Sequence, residues 1–200
     1  MMPGVELTRA TLFRRAAAAV AAAGGAAGVL AGPAGADPIP LQDLAYARLL
    51  VGAELLSADY YTQAIAASNT GPVVEKYLER ALSNEEEHYH SVAGILSGSG
   101  NPPAVSGDID FSYPAGTFAS ERSILEQATK LEALVLGAYL GAIGSMQTAA
   151  FKTGLAQIAA CEAQHQSYFN TRLGGRAFSL SFPPALTIEQ ASDAMGAYTA

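Results

Sequence analysis

The sequence predicts an all-α fold, a four-helix bundle with a long crossover between helices 2 and 3. Three observations carry this expectation. Four segments of roughly 25 residues place apolar side chains at intervals of three, four and seven, the period of one helix face. The first and third segments each carry one Glu inside the apolar stripe, Glu54 and Glu132, while the second and fourth carry Glu-x-x-His, as Glu85–His88 and Glu162–His165. The two halves also share their spacing: 31 residues separate Glu54 from Glu85, 30 separate Glu132 from Glu162, and Tyr61 and Tyr139 each follow the lone Glu by seven. The chain reads as one helical hairpin used twice.

Residues 1–36 read as an export signal. Arg9, Arg14 and Arg15 precede a weakly apolar Ala/Gly run from Ala16 to Ala31, and Ala34-Gly35-Ala36 forms a small-residue cleavage site before Asp37. The Arg14-Arg15 pair favours the twin-arginine route over the ordinary secretory one, although Phe13 precedes the pair and no Phe-Leu follows it. An uncleaved membrane anchor is the third reading, disfavoured by the glycines and proline that break the run. The mature chain is then expected in the periplasm, the cell wall or the medium.

Helix 1 is expected from Leu41 to about Ser68, with Ala47, Leu50, Val51, Glu54, Ala58, Tyr61 and Ile65 on one face and Asp43 and Asp59 on solvated faces. Asn69-Thr-Gly-Pro72 is a turn. Helix 2 follows from about Val73 to Leu96, with Glu85 and His88 inward and Glu86, Glu87 and His90 at the surface. Residues 97–119 hold Gly98, Gly100, Pro102, Pro103, Gly107, Pro114 and Gly116, which break any helix. A loop this long is uncommon in a compact domain. It fits a connection that travels the length of the bundle, pinned by Ile109, Phe111, Tyr113 and Phe118. Helix 3 is capped by Ser123-Ile-Leu-Glu126 or by Ser120, and runs to about Gln147. Its glycines at 137, 141 and 144 permit close backbone approach or mark a weak helix. Helix 4 runs from about Ala149 to Leu173, where Gly174-Gly175 ends it. Residues 37–175 thus form the bundle. Residues 176–200 form a tail that packs on the bundle or a partner subunit, with a last short helix capped by Thr187-Ile-Glu-Gln190.

Lys and Arg number 11 against 18 Asp and Glu, a formal charge of −7; without residues 1–36 the balance is 8 against 17, or −9. Nucleic acid is therefore not an expected partner, since a basic face is missing. No apolar run of the mature chain is long enough to span a bilayer. Cys161 is the single cysteine, so no intrachain disulfide forms, and a buried inert thiol is expected there.

A Glu and a His three residues apart on a helix lie about one turn apart on the same face. An acid on a buried stripe costs free energy unless it is paired or metal-bound. Two lone Glu residues with two Glu-x-x-His pairs make the ligand set of a dinuclear carboxylate centre: Glu54, Glu85, His88, Glu132, Glu162 and His165. Four carboxylates carry −4, which two divalent cations cancel. Oxygen and imidazole ligands suit iron first, with manganese or zinc as alternatives. Tyr61 and Tyr139 either fill the core or hydrogen-bond a ligand carboxylate from behind. No catalytic residue is assigned beyond the ligands. The bland alternative is a plain bundle with Glu and His placed by chance.

On these six residues, over roughly residues 41–175, the chain resembles the ferritin-like superfamily, and in particular exported bacterial ferritin-like domain proteins. The resemblance implies that Glu85 and Glu162 bridge two metals, that Glu54 and His88 complete one site, and that Glu132 and His165 complete the other. Tyr61 matches the tyrosine that bonds a ligand carboxylate in ferritins and bacterioferritins. The export signal and the long Gly/Pro crossover depart from those cytoplasmic cages, no Met is clearly placed to ligate haem, and the Cys-rich module of rubrerythrins is missing. The implied function is a dinuclear centre that oxidises Fe(II) or reduces peroxide or dioxygen outside the cytoplasm. The alternatives are a non-catalytic metal-binding or stress-protective bundle, as in plant desiccation-related proteins that share this domain, and a bundle whose ions only stabilise the fold. A homo-oligomer is an open possibility.

Overall fold

The computed structural model describes residues 38–177 and 180–199. The expected export signal lies outside the described residues, as does Phe178 of the tail. Five helices follow in order: α1 (Leu41–Ala66), α2 (Pro72–Gly98), α3 (Glu121–Ser145), α4 (Ala149–Arg172) and the short α5 (Ile188–Gly196). Among the described residues the strand-like pairing is a single antiparallel bridge, Phe111 with Thr199.

Helix α1 is the centre of the bundle. Seventeen of its 26 residues are buried, against six of 24 in α4. A helix apolar on most sides must be covered on most sides, and α1 is packed by α2, α3, α5 and the crossover. Helix α4 buries one stripe, Leu155, Ile158, Ala159, Glu162, His165 and Phe169, against α3. Helices α1 and α3 meet antiparallel: the Tyr46 hydroxyl donates to Ser145 Oγ at one end (3.1 Å), and the Tyr60 hydroxyl donates to the Ile124 carbonyl at the other (2.5 Å). Helices α2 and α4 meet through long side chains, with Tyr77 stacked on Tyr168 at 3.4 Å.

The crossover does travel the bundle's length. Near its start, Arg48 donates to Asn101 Oδ1 (2.7 Å) beside the beginning of α1; near its end, Asn69 donates to the Phe118 carbonyl (2.8 Å) just beyond the end of α1. Arg48 stands 18 residues before the end of α1 at Ala66, about 27 Å at 1.5 Å per residue. Ile109, Phe111, Tyr113 and Phe118 all pack against the core. Tyr60 meets Tyr113 edge-on, with centroids 5.4 Å apart.

Two acids expected in solvent are not there. Asp43 is fully buried and accepts from the backbone N–H groups of Gln147 and Thr148, each at 2.8 Å. Helix α4 has no side-chain cap of its own; a carboxylate from the first turn of α1 satisfies the orphan donors at its N-terminus instead. Asp59 is half-buried and accepts from the Tyr113 hydroxyl and from Gln63, both at 2.8 Å, which ties the crossover to α1. The cap of α3 is Ser120 with Ser123, not Ser123 with Glu126, because Ser120 holds the extended backbone that a cap needs. Thr187 and Gln190 form the expected capping box of α5.

The tail lies on the bundle, with α5 against α3 and α1. Its approach explains two of the three α3 glycines. Leu186 donates its N–H to the Gly137 carbonyl (2.9 Å), and a Cβ added at Gly141 would stand 1.8 Å from the Leu186 carbonyl oxygen. Gly144 meets nothing within 4 Å and has no such reason.

Candidate metal centre

Each long helix delivers its acidic or imidazole side chain to the same level of the core. Glu54 comes from α1, Glu85 and His88 from α2, Glu132 from α3, and Glu162 and His165 from α4. The four carboxylates are at most 1% exposed, and the His165 and His88 side chains are 3% and 12% exposed. His88 is the member nearest solvent.

Both imidazoles turn Nδ1 into the cluster. His88 Nδ1 lies 2.9 Å from Glu162 Oε1, 3.3 Å from Glu85 Oε2 and 3.8 Å from Glu54 Oε2. His165 Nδ1 lies 3.1 Å from Glu85 Oε1, 3.5 Å from Glu162 Oε2 and 3.6 Å from Glu132 Oε1. The six residues thus sort into two overlapping groups: Glu54, Glu85, His88 and Glu162, then Glu85, Glu132, Glu162 and His165. Within each group the nearest donor atoms all lie within 4.8 Å of one another, and each group could hold a metal ion. Glu85 and Glu162, one from each Glu-x-x-His pair, belong to both.

The donor set fits cations for a second reason. Glu54 Oε2, Glu85 Oε1, Glu132 Oε2, both Glu162 oxygens and His165 Nδ1 are buried and have no hydrogen-bond partner outside the cluster itself. A buried polar atom left unsatisfied costs free energy, more when charged. Six such atoms converging on one small volume are satisfied together by positive charge placed between them. Without cations, protons take that part. Burial, then the charges of Glu85 and Glu162, holds the Glu54 carboxyl well above its usual range. Burial, then the charge of Glu162, pushes Glu132 up to about 8. Burial opposes protonation of His88, but hydrogen bonds with Cys161, Glu162 and Glu85 outweigh it and push the imidazole up to about 12. His165 is raised in the same way against its own burial, by Cys161, Glu132, Glu162 and Glu85.

The two tyrosines reach the cluster crosswise. Tyr61 of α1 donates to Glu132 of α3, and Tyr139 of α3 donates to Glu54 of α1. Burial first and the neighbouring carboxylates second raise both phenols far above their ordinary range, so each remains a donor. Each orients the lone Glu of the opposite hairpin.

Asn84 and Cys161 contact the site and were not foreseen there. Asn84 Nδ2 lies 3.0 Å from His165 Nε2, and Cys161 Sγ lies 3.6 Å from the same nitrogen. The thiol is half-buried rather than buried. One signal was available: Asn84 precedes His88 by four residues and Cys161 precedes His165 by four, so the repeat marks both. On the outer side, Tyr77 stands edge-on to His165 with centroids 6.0 Å apart and stacks on Tyr168 at 3.4 Å.

Among the described residues, no helix is long and apolar enough to cross a membrane. The family model described as a ferritin-like domain matches residues 42–175. No curated protein matches the chain at a significant level.

Proposed function

The chain belongs to the ferritin-like domain family, and on that premise we propose that it binds a dinuclear metal centre and uses it to oxidise Fe(II) or to reduce peroxide or dioxygen. The observation that supports this most is the convergence, in two overlapping groups, of buried oxygens and an imidazole nitrogen that have no partner outside the cluster. Glu54 and His88 would complete one ion's set, Glu132 and His165 the other's, and Glu85 and Glu162 would serve both. Two divalent ions offset the −4 of the four carboxylates. Iron is the first choice for this donor set and family, with manganese or zinc as alternatives. A bound pair of redox metals supplies electrons and Lewis acidity to an oxygen substrate.

The chain's own residues shape that chemistry. Tyr61 and Tyr139 hold Glu132 and Glu54 in place by hydrogen bonds to one oxygen each, leaving Glu132 Oε2 and Glu54 Oε2 without a protein partner. The apolar packing of α1 and α3 keeps bulk water from the carboxylates. His88, the member closest to solvent, stands where a small oxygen species would enter.

A second reading, a metal-binding or stress-protective bundle without turnover, is favoured by the depth of the site: five of the six side chains are at most 3% exposed. Counting the metals on purified protein and following Fe(II) oxidation under air or peroxide separates the two. Two ions with rapid oxidation support the enzyme; two ions with none support the second reading; no bound ion defeats both. Export rests on residues 1–36, and we infer cleavage after Ala36. Sequencing the N-terminus of the exported protein tests it, with Asp37 expected first.

A further inference from the structure

Two imidazoles that look equivalent in sequence differ in what stands behind them. The outer nitrogen of His165, Nε2, faces the Asn84 side-chain amide at 3.0 Å, with Cys161 Sγ 3.6 Å away and 3.4 Å from Asn84 Nδ2. The Tyr77 ring covers the same imidazole edge-on. Cys161 serves both imidazoles, but the Asn84 amide reaches only His165. Among the described residues His88 Nε2 has no amide or carboxylate partner, and the His88 side chain is four times as exposed, 12% against 3%. Asn84 has no counterpart in the other half of the repeat, where Cys161 occupies the matching position.

We propose that Asn84 is a positioning residue for His165 alone, so that the ion held by Glu132 and His165 is retained while the ion held by Glu54 and His88 is the exchangeable one. The inference rests on the dinuclear reading above. A cation on Nδ1 leaves the ring's one proton on Nε2, where it needs an acceptor. The Asn84 amide can meet either state by rotating about its Cβ–Cγ bond. Nδ2 donates to Nε2 when the ring proton is on Nδ1, and Oδ1 accepts from Nε2–H when it is not. Fixing the outer nitrogen of a metal-bound histidine orients the ring and raises its basicity, and losing such a partner typically costs 10–100-fold in metal affinity. His88 lacks the Asn84 amide and lies closer to solvent.

The test is a titration of the metal-free protein with Co(II), read by its visible ligand-field bands, in single-site backgrounds. In His88→Ala protein, which keeps the His165 site, Asn84→Leu is expected to weaken Co(II) binding about 10–100-fold. In His165→Ala protein the same substitution is expected to leave Co(II) binding unchanged. Asn84→Asp, which keeps an acceptor in the same place, is expected to restore binding in the His88→Ala background, and it serves as the reporter if the Leu variant does not fold. Equal weakening in both backgrounds, or none in either, overturns the inference. Failure of the otherwise unaltered protein to bind two Co(II) ions overturns the dinuclear reading beneath it and is seen separately.

Discussion

The Tyr139 hydroxyl on α3 donates to Glu54 on α1, and the same bond runs in the opposite sense from Tyr61 on α1 to Glu132 on α3. Each hairpin therefore orients the other's lone carboxylate. Tyr61→Phe or Tyr139→Phe leaves one buried carboxylate oxygen without its donor, at a cost of about 1–3 kcal/mol. Thermal melts of the metal-free protein are expected to show the loss for either variant. A melting temperature unchanged in both would mean that the phenols only fill space.

Glu132→Gln is expected to act with opposite signs on the two forms. In the metal-free protein above about pH 8, where Glu132 would ionise, it removes a buried like charge while keeping an acceptor for Tyr61, so stability there rises. With metal added the same variant loses a charged ligand, and the metal-induced gain in melting temperature shrinks. Melts with and without added Mn(II), alongside a metal count, check both halves.

The dependence on pH is likewise expected to reverse with metal. Glu54 and Glu132 are raised by burial and by neighbouring carboxylates, Glu132 from 4.5 to about 8. Between those values the folded state binds more protons than the unfolded chain, so the contribution is complete below 4.5 and is lost as pH rises through about 8. Metal binding expels those protons, so its stabilisation grows with pH. Melts at about pH 5 and about pH 8, with chelator and with metal, are expected to slope in opposite directions.

The docking of the tail hangs on one missing methyl group. Gly141→Ala places a Cβ 1.8 Å from the Leu186 carbonyl, so the segment before α5 must lift away. The expected cost is about 1–3 kcal/mol, with faster proteolysis around residues 180–190. Gly144→Ala meets nothing and is expected to lie within about 0.5 kcal/mol of the parent. Equal proteolysis of the two variants would count against this account of Gly141.

Much of the bundle was legible because helix period and residue type are local properties. The apolar stripes marked the four long helices to within about two residues at each end, and the Gly/Pro run marked the crossover. Asp43 shows where that legibility stops. Its place off the main stripe of α1 predicted solvent, but the donors it satisfies, Gln147 N–H and Thr148 N–H, lie more than a hundred residues away. Asp59 was misjudged for the same reason, since its partner Tyr113 arrives on the crossover. The serine that caps α3 was ambiguous because both candidates have cap-competent side chains, and backbone conformation chose Ser120.

By itself, the sequence determined that two matched hairpins each carry one buried Glu and one Glu-x-x-His, because spacing along a helix decides which side chains share a face. Only the tertiary structure decided that each tyrosine serves the opposite hairpin, that Asn84 stands behind His165 and not His88, and that Leu186 lies over Gly141. Those relations join residues on different helices. They depend on how the helices are rotated and placed against one another, which the packing of the whole core sets and no single helix's period contains.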